Sequence, residues 1–129
     1  MVKSKAVRDW LNNEPFFLSN GDELKQVDLT EMQSKHEQKK SAQPIAGTIA
    51  LTKVQDPQHY GVPVVEQEMI KTFIEKPENP PGNHISSGLY LLEPAIFDYQ
   101  NNEEFEMIEQ MWNKVAEDGK LHVAEVVFK

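Results

Sequence analysis

The side chains with the clearest chemical promise are few and widely spaced. Asp22 closes the turn Asn20-Gly21-Asp22, directly after the apolar run Phe16-Phe17-Leu18. Open α/β sheets bind their ligands beyond the carboxyl ends of strands, which is where such a carboxylate stands. As a hard oxygen donor it suits Mg²⁺ held beside a phosphate. Asn-Gly between apolar runs is also a hairpin signal. However, Glu23 to Asp28 show little alternation and lead towards helical sequence, which favours strand–loop–helix. Further along, Glu75-Lys76-Pro77 ends a run of strand character, and as a bare sequence it is equally an exposed charge pair. Tyr60-Gly61-Val62 and Ser86-Ser87-Gly88-Leu89-Tyr90 bring glycines into or beside strands, where a ligand or another backbone can approach closely.

Other chemistries find no support. His36, His59, His84 and His122 lack i, i+4 pairing and read as packed or solvated side chains. The chain has no cysteine, which removes thiolate nucleophiles, disulfides and Cys-based zinc sites. Neither a Gly-x-Ser-x-Gly elbow nor a Walker-type phosphate loop occurs.

The elements that must position these residues follow from periodicity. Ser4 caps a short helix with Val7, Trp10 and Leu11 on one face, and Pro15 opens the strand at Phe16. Asp28-Leu29-Thr30-Glu31 resembles a capping box, predicting a helix to about Lys40 with Leu29, Met32 and His36 sharing a face. Its acidic start and basic end suit the helix dipole. The near-continuous apolar run Ile45–Leu51, like Phe16–Leu18, predicts a strand buried on both faces, as in parallel sheets. Val62–Val65 and Ile70–Ile74 form strands around the turn Glu66-Gln67-Glu68, and a proline-rich loop precedes a strand over Ile85–Leu92. Pro94 starts a short helix to Tyr99, and Asn102 caps a longer one with Phe105, Ile108, Met111, Trp112 and Val115 on its apolar face. Gly119 closes that helix, and Leu121–Phe128 is the last strand.

With 129 residues, 39% hydrophobic and 26% charged, and a mean hydropathy of −0.58, one soluble α/β domain over 1–129 is expected. A net charge of −8 argues against nucleic-acid and anionic-membrane partners. No run reaches membrane-spanning length and no signal-peptide core is present, so a cytoplasmic protein is expected.

Taken in order, Asn20-Gly21-Asp22, Tyr60-Gly61-Val62, Glu75-Lys76-Pro77 and Ser86-Ser87-Gly88-Leu89-Tyr90 resemble the central part of the sugar-1-phosphate nucleotidyltransferases. The resemblance runs from the helix before Phe16 to Lys129. It implies a mixed, largely parallel sheet flanked by helices, Rossmann-like and cut short at both ends. It also implies a reaction in which a sugar-1-phosphate oxygen attacks the α-phosphorus of a nucleoside triphosphate and pyrophosphate leaves. Such a displacement depends on in-line positioning and on cations at the phosphate oxygens. By the resemblance, Asp22 holds Mg²⁺ and Asn20 and Gly21 line the substrate site. Gly61 and Tyr60 lie against the sugar, Glu75 accepts from its hydroxyls, and Lys76 meets its phosphate as a point charge. Ser87, Gly88 and Tyr90 complete the pocket, with Asp22 and Lys76 as the catalytic pair.

The departures set a second expectation. The family's opening Gly-rich segment, which grips the nucleotide, has no counterpart before Ser4, and its Trp-x-Asp-x-Gly segment with a second metal-binding aspartate does not follow the last strand. Ser86 stands where many members have asparagine, which leaves the sugar open. The chain is therefore expected to be the sugar-phosphate half of such an enzyme, weakly active or inactive alone. The alternative is a non-catalytic binding, regulatory or interaction module. In either case an uncovered sheet edge invites pairing with a second copy or a complementing chain.

Overall fold

A computed structural model describes residues 14–19, 29–99 and 108–125; the side chains of Ser19, 108–111 and Glu125 lie outside the description. The expected helix over Ser4–Leu11, the turn Asn20-Gly21-Asp22, the caps at Asp28 and Asn102, and Phe105 fall outside it as well. The described elements are β1 (Phe16–Ser19), α1 (Leu29–Ala42), β2 (Gly47–Lys53), β3 (Gly61–Glu66), β4 (Met69–Glu75), β5 (His84–Leu92), α2 (Ile108–Glu117) and β6 (Leu121–Glu125). Short 3₁₀ turns span Pro57–His59 and Pro94–Tyr99.

The strands form one mixed sheet in the order β1-β5-β2-β6-β4-β3. β2 and β6 pair in parallel, and the other pairings are antiparallel. By this pattern β1, β2, β3 and β6 point one way while β4 and β5 point back. β2 is buried over Gly47–Leu51, as its unbroken apolar run predicts. β1 departs from that expectation: among the described residues it pairs only with β5, and Phe17 is 39% exposed while Phe16 and Leu18 pack inward. An apolar run there marks a terminal strand of the described sheet. Pro63, which has no N–H to offer a ladder, suits the opposite terminal strand, β3.

The sheet has two differently built faces. On one, Ile49, Ile70, Tyr90 and Leu92 meet Trp112 and Val115 of α2 in the larger apolar cluster. Fully burying a side chain of this size contributes about 1.5–3 kcal/mol. α2 stops in a Schellman arrangement: Lys120 N donates to Val115 O (3.2 Å) and Gly119 N to Ala116 O (2.9 Å). Gly119, at φ +70°, is the left-handed residue this stop requires.

On the other face α1 has little apolar surface to offer. Leu29, expected to point inward, is 42% exposed, and the buried residues of α1 are Met32 and His36. The helix is held largely by polar contacts. His36 Nε2 lies 2.6 Å from Glu93 Oε2, and His36 Nδ1 lies 2.6 Å from Thr48 Oγ1. Thr48 Oγ1 is in turn 3.0 Å from His122 Nδ1 on β6. Lys40 pairs with the second Glu93 oxygen at 2.9 Å, which holds its pKa above the ordinary lysine value, and Lys39 Nζ donates to Gln67 O.

Burial lowers the pKa of His122 from 6.5 to about 4. Between those values the unfolded chain binds the proton and the folded chain does not. The stability tied to neutral His122 is therefore complete above pH 6.5 and is lost as pH falls towards 4. A loss on the order of 2 kcal/mol is expected over that interval. Urea titrations at several pH values check it, and the non-titrating variant His122→Asn should show a flatter pH profile.

Candidate functional site

The cleft on the α2 side of the sheet is assembled from four elements. The β3–β4 hairpin turns at Gln67 and Glu68, both in the left-handed region at φ 52° and 66°, and its register sets Gly61 opposite Glu75. The 3₁₀ turn before β3 delivers Tyr60, whose carbonyl accepts from Lys76 N at 2.9 Å. This tie secures a strained link, because Lys76 adopts φ +45°, a region that non-glycine residues seldom occupy. Pro77 beyond it is buried and anchors the segment.

β5 supplies the opposite wall through a break in its own ladder. Its register with β2 shifts between Ile49/Tyr90 and Leu51/Ser86, with Gly88 at φ 84° in the break. A bulge of this kind takes backbone amides off the ladder. The serine hydroxyls take them up: Gly88 N donates to Ser86 Oγ (3.2 Å) and Leu89 N to Ser87 Oγ (3.3 Å). Ser86 Oγ also donates to Tyr90 Oη at 3.4 Å, and the Tyr90 ring packs on Trp112 with centroids 5.0 Å apart.

The result is a cleft of about 330 Å³, within the range of small-molecule sites. Tyr60, Gly61, Glu75, Gly88 and Tyr90, all expected at a substrate site, line it together. Lys76 and Ser87 do not line it: Lys76 is exposed beside it, and the Ser87 hydroxyl is engaged with the bulge. Phe73, Ile85, Ser86, Trp112 and Asn113 complete the lining. Among these the sequence reading placed Trp112 only as core, because its helical spacing marks an apolar stripe and cannot show that the stripe ends at a cleft. Among the described residues the Trp112 Nε1–H is buried without a hydrogen-bond partner. Gly61 has a steric reason to lack a side chain, since a Cβ there would lie 3.1 Å from Glu75 Oε2.

Asn20, Gly21 and Asp22 lie outside the described residues, yet the strand leading to them does not. β1 ends at Ser19 in register with Leu89, next to Gly88 of the cleft wall. Elsewhere, His36, Glu37 and Glu93 bring potential metal-ligating atoms within 4.8 Å of one another. There the Glu93 carboxylate already meets the Lys40 ammonium and the His36 imidazole, so the group reads as an internal ion-pair network. A larger cleft of about 550 Å³, with Lys35, Glu68 and His84 among its lining, holds none of the expected substrate-site residues.

A mixed sheet with a cleft walled by one carboxylate, several hydroxyls and aromatic rings fits the class to which the match assigns it: the chain belongs to the nucleotidyl transferase family, whose model matches residues 3–128. It is 34% identical over 117 residues to mannose-1-phosphate guanyltransferase beta-A of Xenopus laevis, covering 89% of this chain and 31% of that protein. A probable mannose-1-phosphate guanylyltransferase 3 of Arabidopsis thaliana is 32% identical over 124 residues, covering 95% of this chain and 36% of the relative. The fold matches a putative glucose-1-phosphate thymidylyltransferase of Bacillus anthracis with a TM-score of 0.75 at 21% identity, covering 96% of this chain and 51% of that one. It also matches an apo UDP-glucose pyrophosphorylase with a TM-score of 0.71 at 23% identity, over 100% of this chain and 54% of the other. The relatives are thus sugar-1-phosphate nucleotidyltransferases, and the chain spans about a third of the length of the curated ones. Among the described residues, no helix is long and apolar enough to cross a membrane.

Proposed function

We propose that this chain provides the sugar-1-phosphate site of a nucleotidyltransferase that joins a sugar 1-phosphate to a nucleoside triphosphate, giving an NDP-sugar and pyrophosphate. The observation that carries the reading is the meeting of Gly61, Glu75, Gly88 and Tyr90 in one cleft, from segments distant in sequence. Glu75 accepts from sugar hydroxyls, since an ionised carboxylate is acceptor-only. Tyr60 and Trp112 give the sugar ring apolar surface, and the Ser86 and Tyr90 hydroxyls supply further polar contacts. Gly61 and Gly88 add no side chain to the cleft lining, and at Gly61 a Cβ would crowd the Glu75 carboxylate. Lys76, held at the rim by the Tyr60 tie, offers its charge to the phosphate.

Asp22 is the residue we assign to Mg²⁺, on the chemistry of an oxygen donor and on the direction in which β1 leads towards the cleft. When bound, the ion would neutralise charge on the phosphate oxygens. Mannose 1-phosphate is the first substrate to try, because the curated relatives named above are mannose-1-phosphate guanylyltransferases.

Isothermal titration of the chain with mannose 1-phosphate and glucose 1-phosphate tests the reading. Saturable binding of a hexose 1-phosphate is expected, and its absence for every hexose 1-phosphate tried would refute the assignment. Binding without pyrophosphate release from nucleoside triphosphate would mark the chain, by itself, as a binding module. Gly61→Ala should weaken this binding by about 1 kcal/mol, roughly fivefold, with melting unchanged, because only the Glu75 carboxylate has to move aside.

A further inference from the structure

Between α1 and the sheet runs an unbroken polar chain, Lys40–Glu93–His36–Thr48–His122, that the proposed reaction does not use. His36, Thr48 and His122 are at most 1% exposed, so no solvent interrupts it. The outer nitrogen of His122, Nε2, faces Glu68 Oε2 at 3.9 Å, and Glu68 lines the larger cleft. The groups facing this chain are Lys35, Glu37, Lys39 and Lys40 from α1, Glu68 from the hairpin turn and Glu93 from the end of β5. The chain therefore links the Lys40 end of α1 to the β3–β4 turn through buried side chains alone.

Thr48 is the element that makes the chain a device. Its hydroxyl carries one proton and sits between two imidazole Nδ1 atoms, so it can donate to only one of them while accepting from the other. With Glu93 ionised beside Lys40, His36 Nε2 carries a proton and donates to the carboxylate. If His36 is neutral, its Nδ1 is bare and accepts from Thr48. Thr48 then accepts from His122 Nδ1–H, and the His122 nitrogen facing Glu68 is bare. If His36 is doubly protonated, its Nδ1–H donates to Thr48, and Thr48 turns to donate to His122 Nδ1. His122 must then carry its proton on Nε2, facing Glu68. No net charge enters His122 in either arrangement; only the position of its proton changes.

We propose that Thr48 couples the protonation of His36 to the tautomer of His122, so that a proton taken up beside α1 reverses the hydrogen-bonding character presented to Glu68 at the larger cleft.

The test is nitrogen NMR of the whole chain with ¹⁵N-labelled histidine, following ring nitrogens from neutral to mildly acidic pH while the protein stays folded. As His36 gains its second proton, His122 is expected to pass from the Nδ1–H to the Nε2–H tautomer over the same interval. Glu93→Gln, which removes the carboxylate facing His36, should move both midpoints to lower pH together. Thr48→Val should separate the two events, and Thr48→Ser should rejoin them. The proposal is overturned if His122 keeps one tautomer while His36 titrates, or if His36 stays in one protonation state throughout the folded range. It is also overturned if Glu93→Gln moves one midpoint without the other, or if Thr48→Val leaves them coincident. Should Thr48→Val fail to fold, the wild-type and Thr48→Ser titrations decide the matter by whether the midpoints coincide.

Discussion

His36→Ala is expected to destabilise the protein by about 2–4 kcal/mol, because it removes a buried hydrogen bond to a carboxylate and leaves its polar neighbours short of a partner. His36 is fully buried, and Glu93, its partner at 2.6 Å, is 7% exposed. Removing the imidazole leaves that carboxylate with Lys40 alone and takes one partner from the Thr48 hydroxyl. α1 has little to fall back on, since Met32 is its other buried residue. Equilibrium urea unfolding measures the loss, and hydrogen exchange should show it concentrated in α1 amides. The double variant His36→Leu/Glu93→Leu separates the cause from simple cavity formation. Replacing both polar partners by apolar groups also removes the buried carboxylate oxygen that has lost its hydrogen bond, so it should be less destabilised than His36→Leu alone. Equal or greater destabilisation in the double variant would mean that packing, not pairing, fixes His36.

Glu75→Ala is expected to weaken hexose 1-phosphate binding roughly 10- to 100-fold, matching the 1.5–3 kcal/mol of a hydrogen bond to a charged group. Stability should hardly change, because Glu75 is exposed at the end of β4. Glu75→Gln keeps an acceptor and adds donors, so an intermediate loss is expected. Titration calorimetry reads both variants, and thermal melting checks that they fold. Lys76 needs a different design, since its φ of +45° makes most substitutions a backbone perturbation as well as a charge change. Lys76→Gly removes the charge while relieving the strain. It should weaken binding of the sugar phosphate and leave binding of the free sugar unaffected. Equal losses for both ligands would place Lys76 in a purely structural role.

The contrast between the two clusters shows what kinds of information a sequence carries. The β3–β4 hairpin was legible because two short β-rich runs flank an acidic turn, and its consequence, Gly61 beside Glu75, follows from pairing register. Gly88 was legible as an anomaly inside a strand, and the structure gives the reason: a bulge whose amides are taken up by Ser86 and Ser87. Ser87 was expected at the pocket; both serine hydroxyls serve the bulge, and Ser86 is the one found in the cleft lining, a difference of face that the run Ser86-Ser87 does not record. Trp112 and Asn113 reach the cleft only because α2 packs across β4 and β5, and helical spacing cannot say where an apolar stripe ends.

The polar network was invisible for a stronger reason. His36, Thr48, Glu93 and His122 belong to four separate segments, and each has an ordinary reading in its own neighbourhood: helix face, β-branched strand residue, strand-end acid, strand histidine. Leu29 was expected to pack because it shares a face with Met32 and His36, yet it is 42% exposed. α1 is seated by hydrogen bonds at its middle and end, so its apolar stripe does not decide which way it faces.

By itself the sequence determined the local elements among the described residues, the mixed α/β class and the family, because periodicity, turn chemistry and ordered motifs are properties of contiguous residues. The tertiary structure alone decided which residues share a cleft, which serine faces it, and that two histidines and a threonine form one buried chain. Those facts depend on strand order and register, which bring residues far apart in sequence to within a few ångströms. No local pattern records that distance.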